Sequence, residues 1–413
     1  MPVTTESNIQ VTTLPNGLRV ATERVPGALS VATGVWVGVG ARDEPMELSG
    51  VSHFLEHLLF KGTDARSAQD IARSVDRVGG DMNAFTTKET TAYYCRLPAD
   101  RMTLGLEILG DVLCNPALRP DDVDMERQVI LEELAMDDDS PDDVAHRLLS
   151  EAVFPDHPLG WETAGRREIV EVITADDVRK FHDARYVAAA MVVAVAGAID
   201  HDEVVTSVAE QFAGVRVGAP VRNRLRPGGA AAQEIWEDDD TEQVHLVIGM
   251  QSPDRHDPSL AALDVVNHVF GGGMSSRLFE EIREKRGLVY SVYSGAGAYS
   301  DAGIFTIYAG SQPRHLAEVR GLIDLEIDKL CRDGITDEEL EIAQGYLCGA
   351  YVMGLEDTGS RMSRLGGQMM AYGEIRPVAQ QVDKWRAVTL DDARSVIERV
   401  FAGPRVEVAV GPR

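Results

Sequence analysis

The sequence is poor in cysteine and in positively charged residues. Its four cysteines are scattered and form no Cys-x-x-Cys pair, which argues against a thiolate zinc site and against thiol redox chemistry. The 40 lysines and arginines are outnumbered by 67 acidic residues, giving a formal net charge of −27. This balance argues against nucleic acid or an anionic membrane as a partner. It favours neutral or basic partners instead.

Long hydrophobic runs are also missing. The longest, Met191 to Ile199, has nine residues, about half of what a membrane-spanning helix needs. The first thirty residues are polar and rich in threonine, without the basic segment and apolar run of a signal peptide. Together with cysteines that we expect to be reduced, these absences predict a cytoplasmic protein with no membrane partner.

Apolar residues make up 44% of the chain, which is ample for a folded core. Pro15, Asn16 and Gly17 separate two short β-rich runs and predict a hairpin turn. The spacing of apolar residues predicts helices over residues 49–61, 67–79, 101–114 and 120–136, with strands near 83–87 and 90–97 between the second and the third.

A short stretch of sequence occurs twice. Residues 173–179 resemble residues 388–394, and a short helix and an apolar strand follow each copy. Residues 215–235 lie between the halves and are rich in glycine, proline, alanine and arginine, which indicates a linker. We therefore predict an α+β fold of two homologous domains, 1–214 and 236–413, each with a mostly antiparallel sheet and flanking helices.

Residues 53–57 have the sequence His-Phe-Leu-Glu-His, inside the predicted helix 49–61. Histidines four residues apart project from one helical face, so His53 and His57 can converge on one metal ion. Glu56 borders this face. In a zinc hydrolase two imidazoles hold the metal and a carboxylate takes a proton from zinc-bound water, and this order inverts the commoner zincin motif. The alternative is a pair of half-buried histidines that bind backbone groups.

A catalytic zinc ion takes three protein ligands and keeps a fourth position open. Candidates for the third ligand cluster on the predicted helix 120–136, which contains Glu126, Glu132 and Glu133. Helical periodicity does not distinguish Glu132 from Glu133, because each has apolar neighbours three or four residues earlier. The residues by themselves leave the third ligand open.

With these motifs the sequence resembles the pitrilysin-type inverzincin metallopeptidases, in particular the branch of mitochondrial processing peptidase and its bacterial relatives. The resemblance covers nearly the whole chain. It implies one zinc ion (Zn²⁺) per chain, with His53, His57 and Glu133 as the ligands. It further implies that Glu56 is the general base and that Glu126 steadies a ligand histidine.

The resemblance also implies residues that handle the substrate. Asn83, Ala84 and Phe85 look like the family's edge-strand segment, whose asparagine contacts the substrate backbone. In the second half, Arg283 and Tyr290 resemble the family's pair that reaches from the C-terminal domain to the substrate and the developing oxyanion. On the residues alone, Arg283 is a cation at a helix end, and Tyr290 is a core aromatic of a strand.

The function implied by the resemblance is a zinc metalloendopeptidase that cleaves peptides or unfolded segments enclosed in a clamshell chamber. A chain with two repeats supplies half of such a shell, so we expect a homodimer, with a heterodimer containing an inactive homologue as the alternative. A rival from another class is a catalytically inactive scaffold, like the core subunits of respiratory complexes that share this fold. A zinc hydrolase that does not cleave peptides is a third interpretation.

Overall fold

The computed structural model describes residues 8–221 and 223–413 of the chain. Valine-rich segments form the central strands, and Met191–Gly197 is buried along its whole length, as expected of a strand covered on both faces. The strands are, in chain order, β1 (Ile9–Thr13), β2 (Arg19–Arg24), β3 (Ser30–Val37), β4 (Asp81–Thr86), β5 (Thr91–Pro98), β6 (Met191–Gly197), β7 (Gln233–Glu237), β8 (Val244–Ser252), β9 (Val289–Ala298), β10 (Gly303–Ser311) and β11 (Val406–Val410).

The helices follow the predicted apolar spacing closely in the first half of the chain. They are α1 (Val51–Leu59), α2 (Ala68–Asp76), α3 (Met102–Cys114), α4 (Pro120–Asp138), α5 (Pro141–Val153), α6 (Arg167–Val170), α7 (Ala175–Arg185), α8 (His201–Gln211), α9 (Leu260–Asn267), α10 (Leu316–Asp333), α11 (Asp337–Gly354), α12 (Thr358–Tyr372), α13 (Val378–Arg386) and α14 (Leu390–Phe401). Two π-helical segments, His268–Gly272 and Phe279–Glu284, follow α9.

The strands form two sheets that share an arrangement of five strands, to which the first sheet adds β1 at its edge. The strand order is β1-β2-β6-β3-β5-β4 in the first sheet and β7-β11-β8-β10-β9 in the second. In each sheet a late strand, β6 or β11, is parallel to one neighbour and antiparallel to the other. The other pairings are antiparallel. The prediction of a duplicated α+β unit with mostly antiparallel sheets is confirmed.

The repeated sequence stretch occupies the same place in both copies of the unit. Thr174 and Thr389 are the N-caps of α7 and α14, and each hydroxyl accepts a hydrogen bond from the backbone nitrogen three residues later. The side chains of Asp177 and Asp392 accept hydrogen bonds from the backbone N–H groups of the two N-cap threonines, which completes a capping box. Each helix precedes the late strand of its sheet, β6 or β11, so the sequence match marks equivalent positions in the repeat.

The described residues divide into two compact units, and each unit is built from separate segments of the chain. Unit 1 contains residues up to Leu134, Glu162–Arg224 and Val352–Pro377, whereas unit 2 contains Ala135–Trp161, Leu225–Tyr351 and Val378–Arg413. The first sheet therefore carries α12, from the second half of the sequence, and the second sheet carries α5, from the first half. The continuous domains predicted from the sequence do not include this exchange, and β7 begins inside the predicted linker.

In unit 1 the two faces of the sheet are covered differently. Trp36 on β3 packs against Met362 and Leu365 of α12, and a Cβ atom on Gly366 would lie 2.2 Å from the Trp36 ring, so the close approach requires glycine. The other face carries the larger core, which includes Phe54 of α1. Within the described part of the chain, no helix combines the length and the apolar character that a membrane crossing requires.

Candidate metal centre

The His-Phe-Leu-Glu-His motif lies on α1, and the apolar residues of this helix decide which side faces out. One stripe of α1 is buried in the core of unit 1, as amphipathic spacing requires, and consists of Val51, Phe54, Leu55, Leu58 and Leu59. The same spacing leaves His53, Glu56 and His57 half-buried. Packing of the helix thus presents all three polar side chains at the rim of the core.

The N-terminus of α1 is held by a buried carboxylate from the preceding segment. Gly50, the N-cap, has φ of +94°, a left-handed conformation that glycine adopts without strain. Glu44 accepts hydrogen bonds from the backbone nitrogens of Gly50 and Ser52, each 2.7 Å long. An acceptor here satisfies N–H groups that lack partners within the helix. Burial raises the pKa of the Glu44 carboxyl to about 7.

Three potential metal ligands converge between α1 and α4. The Nε2 atoms of His53 and His57 lie 3.9 and 3.5 Å from Oε2 of Glu133, and the imidazole centroids are 4.7 Å apart. One donor atom from each residue lies within 4.8 Å of the others. Tetrahedral zinc with bonds of about 2.0–2.1 Å places ligand atoms about 3.3 Å apart, so a small contraction would accommodate the ion. Among the residues described, no other histidine, cysteine or acidic residues form such a group.

The protonation state of His53 also suits a metal ion. Burial, and secondarily the neighbouring His57, lower the pKa of His53 to about 4. His53 is therefore neutral at physiological pH, which is the form that binds a metal. Two imidazoles and one carboxylate are a donor set found in catalytic zinc sites. The residues present thus fit zinc.

Glu126 fixes the orientation of the His57 ring. The Nδ1–H group of His57 donates to Oε2 of Glu126 at 3.2 Å, which leaves Nε2 directed towards Glu133. The second Glu126 oxygen, Oε1, lies 2.5 Å from the ammonium nitrogen of Lys61. Glu126 is 4% exposed, so this buried carboxylate has one partner at each oxygen. Such hydrogen bonds fix the tautomer and the ring plane of a ligand histidine.

Glu56 is anchored by a different element. The Thr86 hydroxyl, at the end of β4, donates to Oε2 of Glu56 at 2.5 Å. Burial raises the pKa of the Glu56 carboxyl, and the bond from Thr86 acts in the opposite direction. Since Glu56 neighbours His57 in the chain, its carboxylate is available beside the donor group for proton transfer.

The structure distinguishes the two glutamates that helical periodicity leaves open. Glu132 is exposed, whereas Glu133 is half-buried and belongs to the donor group. Successive residues point about 100° apart around a helix, so only one of the pair can face α1. The structure places Glu133 there, at the position that the family resemblance implies.

Two residues that contact this site, Lys61 and Thr86, are not predicted by the sequence analysis. Lys61 lies four residues after His57, so helical spacing was a usable signal for a contact on the same face. Thr86 follows Asn83 by three residues and ends β4, but no pattern in the neighbouring sequence indicates that its hydroxyl contacts α1. That contact depends on how the helix packs on the sheet.

The predicted substrate segment forms the edge strand of the first sheet. Asn83 and Phe85 are exposed, and Ala84 is half-buried and packs against the core. Successive side chains of a strand alternate between faces, so Asn83 and Phe85 lie on the face opposite to Thr86. β4 pairs with β5 on one side and, among the described strands, with none on the other. The unpaired side is free to pair with an extended peptide.

In unit 2, Arg283 and Tyr290 are neighbours. The Arg283 guanidinium lies 5.3 Å from the centroid of the Tyr290 ring and 4.7 Å from that of Phe279. Tyr290 is 81% exposed, so it is not a core aromatic, the alternative that the residues alone allow. Arg283 lies in the last turn of the π-helical segment Phe279–Glu284, which agrees with a cation at a helix end. Both side chains share one surface of unit 2.

Two protein-family models match the chain. Residues 19–167 match the model described as Insulinase (Peptidase family M16), and residues 173–347 match Peptidase M16 inactive domain. The chain belongs to peptidase family M16. This confirms the family resemblance predicted from the sequence. The donor group lies in the region matched by the first M16 model.

Curated relatives have similar sequences over nearly their whole length. An uncharacterized zinc protease of Mycobacterium leprae is 42% identical over 406 residues, which cover 97% of this chain and 91% of the relative. An uncharacterized zinc protease of Bacillus subtilis is 35% identical, with 97% of each chain covered. Both relatives are named as zinc proteases.

Solved structures show the same fold. A protease from Helicobacter pylori superposes with a TM-score of 0.93 at 23% identity, covering 98% of this chain and 99% of the other. The peptidase M16 inactive domain from Pseudomonas fluorescens has a TM-score of 0.92 at 21% identity, with 98% of each chain covered. At this level of identity the comparison establishes the M16 fold alone.

Proposed function

We propose that this chain is a zinc-dependent endopeptidase that cleaves peptides or unfolded protein segments. The observation that carries the proposal is the convergence of His53, His57 and Glu133, with the Glu56 carboxylate adjacent to them. Two imidazoles and a carboxylate suit zinc, and Glu56 supplies a base beside it. Relatives that are 42%, 35% and 31% identical to this chain are named zinc proteases, which points to the same chemistry.

Each side chain of the group has a role in this proposal. Zinc held by His53, His57 and Glu133 would supply Lewis acidity at a fourth, open position. Glu56 accepts the proton of the attacking water and passes it to the leaving amine. Glu126 keeps Nδ1 of His57 protonated, so that Nε2 remains the metal-binding atom.

Substrate binding is assigned to two further groups in this proposal. Asn83, Ala84 and Phe85 present the unpaired side of β4, which suits the backbone of an extended peptide. Arg283 and Tyr290 offer a guanidinium and a phenol, which suit negative charge that develops on a carbonyl oxygen. We further propose that the active form is a homodimer, since one chain carries both the donor group and this Arg/Tyr pair.

The decisive experiment measures peptide cleavage with quenched fluorescent peptides together with the zinc content of the purified protein. We expect about one zinc ion per chain, internal cleavage, loss of activity with a chelator and recovery on adding zinc. Glu56→Gln is the matched control, because it removes the base and leaves the ligands. A zinc-loaded wild type that cleaves none of a diverse peptide library would favour the inactive scaffold.

The oligomeric state and the charge preference need separate measurements. Sedimentation at the concentration used for the assay should show a dimer, and a fully active monomer would contradict this part of the proposal. Paired peptides that differ only in lysine or glutamate content test whether the net charge of −27 influences substrate choice. We expect faster cleavage of the lysine-rich peptide, still present at moderate salt if the acidic groups lie within the chamber.

A further inference from the structure

We infer that Thr86 is a positioning residue for Glu56, an inference that rests on the proposed peptidase function. Its hydroxyl donates to Oε2 of Glu56 at 2.5 Å, the only hydrogen bond that this carboxylate makes with the residues described. The other oxygen, Oε1, is therefore left to accept a proton. A base held through one oxygen presents the second in a fixed direction.

The Thr86 hydroxyl is itself held by a rigid strand end. Thr86 is the last residue of β4 and pairs with Thr91 across the hairpin. The turn that follows is closed by backbone and side-chain bonds between Thr87 and Thr90, with lengths of 2.8 to 3.1 Å. A donor placed immediately before such a turn has little freedom to follow a moving carboxylate.

The tip of this hairpin is tied to the segment before α1. The backbone nitrogens of Ala41 and Arg42 donate to the carbonyl oxygens of Thr87 and Lys88, at 3.0 and 2.8 Å. The Arg42 side chain forms a buried ion pair with Glu89 at 2.8 Å, with both side chains at most 4% exposed. The hairpin is therefore anchored through backbone and side chain together.

The same segment also holds the helix that carries Glu56. The Glu44 carboxylate, two residues after Arg42, accepts hydrogen bonds from the backbone N–H groups of Gly50, the N-cap of α1, and of Ser52 in its first turn. Residues 41–44 thus fix both the donor strand and the acceptor helix of the Thr86–Glu56 bond. Preorganisation of this kind allows a catalytic group to act without first reordering.

The chemical consequence concerns turnover more than substrate binding. Without the Thr86 hydroxyl, Glu56 keeps its place in the chain but can adopt other rotamers. Displacement of a catalytic group by about 1 Å can cost about 100-fold in rate. We therefore expect Thr86→Val, which keeps the shape and removes the hydroxyl, to lower kcat about 10- to 100-fold with KM changed less than about threefold.

The test compares Thr86→Val with Thr86→Ser, which retains a hydroxyl, and with Thr90→Val. Thr90 lies in the same hairpin, and its hydroxyl makes no hydrogen bond within the described part of the chain. We expect Thr86→Ser to retain at least about a third of wild-type kcat and Thr90→Val to match the wild type. Zinc affinity, measured by chelator competition, should be the same in all four proteins. Equal kcat for Thr86→Val and the wild type would overturn the inference.

A crystal structure of Thr86→Val gives a readout that does not depend on activity. We expect the Glu56 carboxylate to occupy more than one rotamer in the variant and a single rotamer in the wild type. If zinc-loaded wild type fails to cleave peptides, the proposed function fails, and the two crystal structures still test the positioning role. An ordered, unmoved Glu56 in Thr86→Val would overturn that role.

Discussion

Lys61 Nζ lies 2.5 Å from Oε1 of Glu126, the buried carboxylate whose other oxygen orients His57. Both oxygens of Glu126 therefore have partners, and Lys61 lies in the turn after α1, four residues beyond His57. The ammonium group balances the charge of Glu126 at a site with few solvent contacts. Lys61 is thus linked to the metal ligands through one intervening residue.

Replacement of Lys61 by methionine should weaken zinc binding. The variant keeps most of the side-chain volume but leaves one Glu126 oxygen without its partner, so Glu126 orients His57 less firmly. Loss of such an outer partner typically costs about 10- to 100-fold in metal affinity. Competition with a zinc chelator measures this, and Lys180→Met, at an exposed ion pair on α7, is the matched control. Equal affinities of Lys61→Met and the wild type would contradict the prediction.

Glu133→Gln should lose zinc, whereas Glu132→Gln should retain it. The two residues are adjacent on α4, but only Glu133 faces the imidazoles of His53 and His57. An amide is a poor zinc ligand, so the stoichiometry of Glu133→Gln should fall far below one after dialysis. Retention of zinc by Glu133→Gln together with its loss in Glu132→Gln would show that the ligand is the exposed neighbour.

Glu56→Gln should keep zinc and lose turnover. The amide has the size of the carboxylate but cannot accept the proton of the attacking water. Removal of an essential base typically lowers kcat about 10²- to 10⁴-fold. Steady-state cleavage and metal analysis on the same preparation check this prediction, and near-wild-type turnover at full zinc loading would exclude Glu56 as the base.

Glu44 should make stability depend on pH. Its pKa is about 7 in the folded protein and about 4.5 when unfolded, so between these values the folded state binds the extra proton. Stability from this group is therefore present at low pH and is lost as pH rises from about 4.5 to 7, by an amount on the order of 3 kcal/mol.

Glu44→Gln removes this titration, because an amide stays neutral across the range. The free energy of unfolding of the wild type, minus that of the variant, should therefore fall between pH 5 and pH 8. Urea unfolding at pH 5, 6, 7 and 8 measures this difference, in which the contributions of other groups cancel. Parallel curves for the two proteins would show that Glu44 does not titrate in this interval.

Local pattern is sufficient to predict most of the first half of unit 1. Helix α4 begins at Pro120 as predicted, and α1 lies within the predicted range 49–61, because amphipathic spacing and start signals act over a few residues. The His53–His57 pairing follows from the same geometry. These features need no knowledge of what packs against the helix.

Contacts between distant segments do not follow from local pattern. The apolar face of α12 shows that the helix is buried, but it does not show that Trp36, more than 300 residues earlier, is part of its partner surface. The bond between Thr86 and Glu56 and the choice of Glu133 over Glu132 depend on the same kind of packing. The choice of Glu133 followed from family resemblance rather than from periodicity.

The exchange of α12 affects how unit 1 can form during synthesis. The surface around Trp36 on β3 is completed only by residues 358–372, so it stays uncovered while the ribosome makes the segments of unit 2 that precede them. A fragment that ends at the linker would expose this apolar surface to solvent. The packing of the sheet that bears the Thr86 hairpin is therefore completed late in translation. Until then, chaperones can bind the exposed apolar face of this sheet.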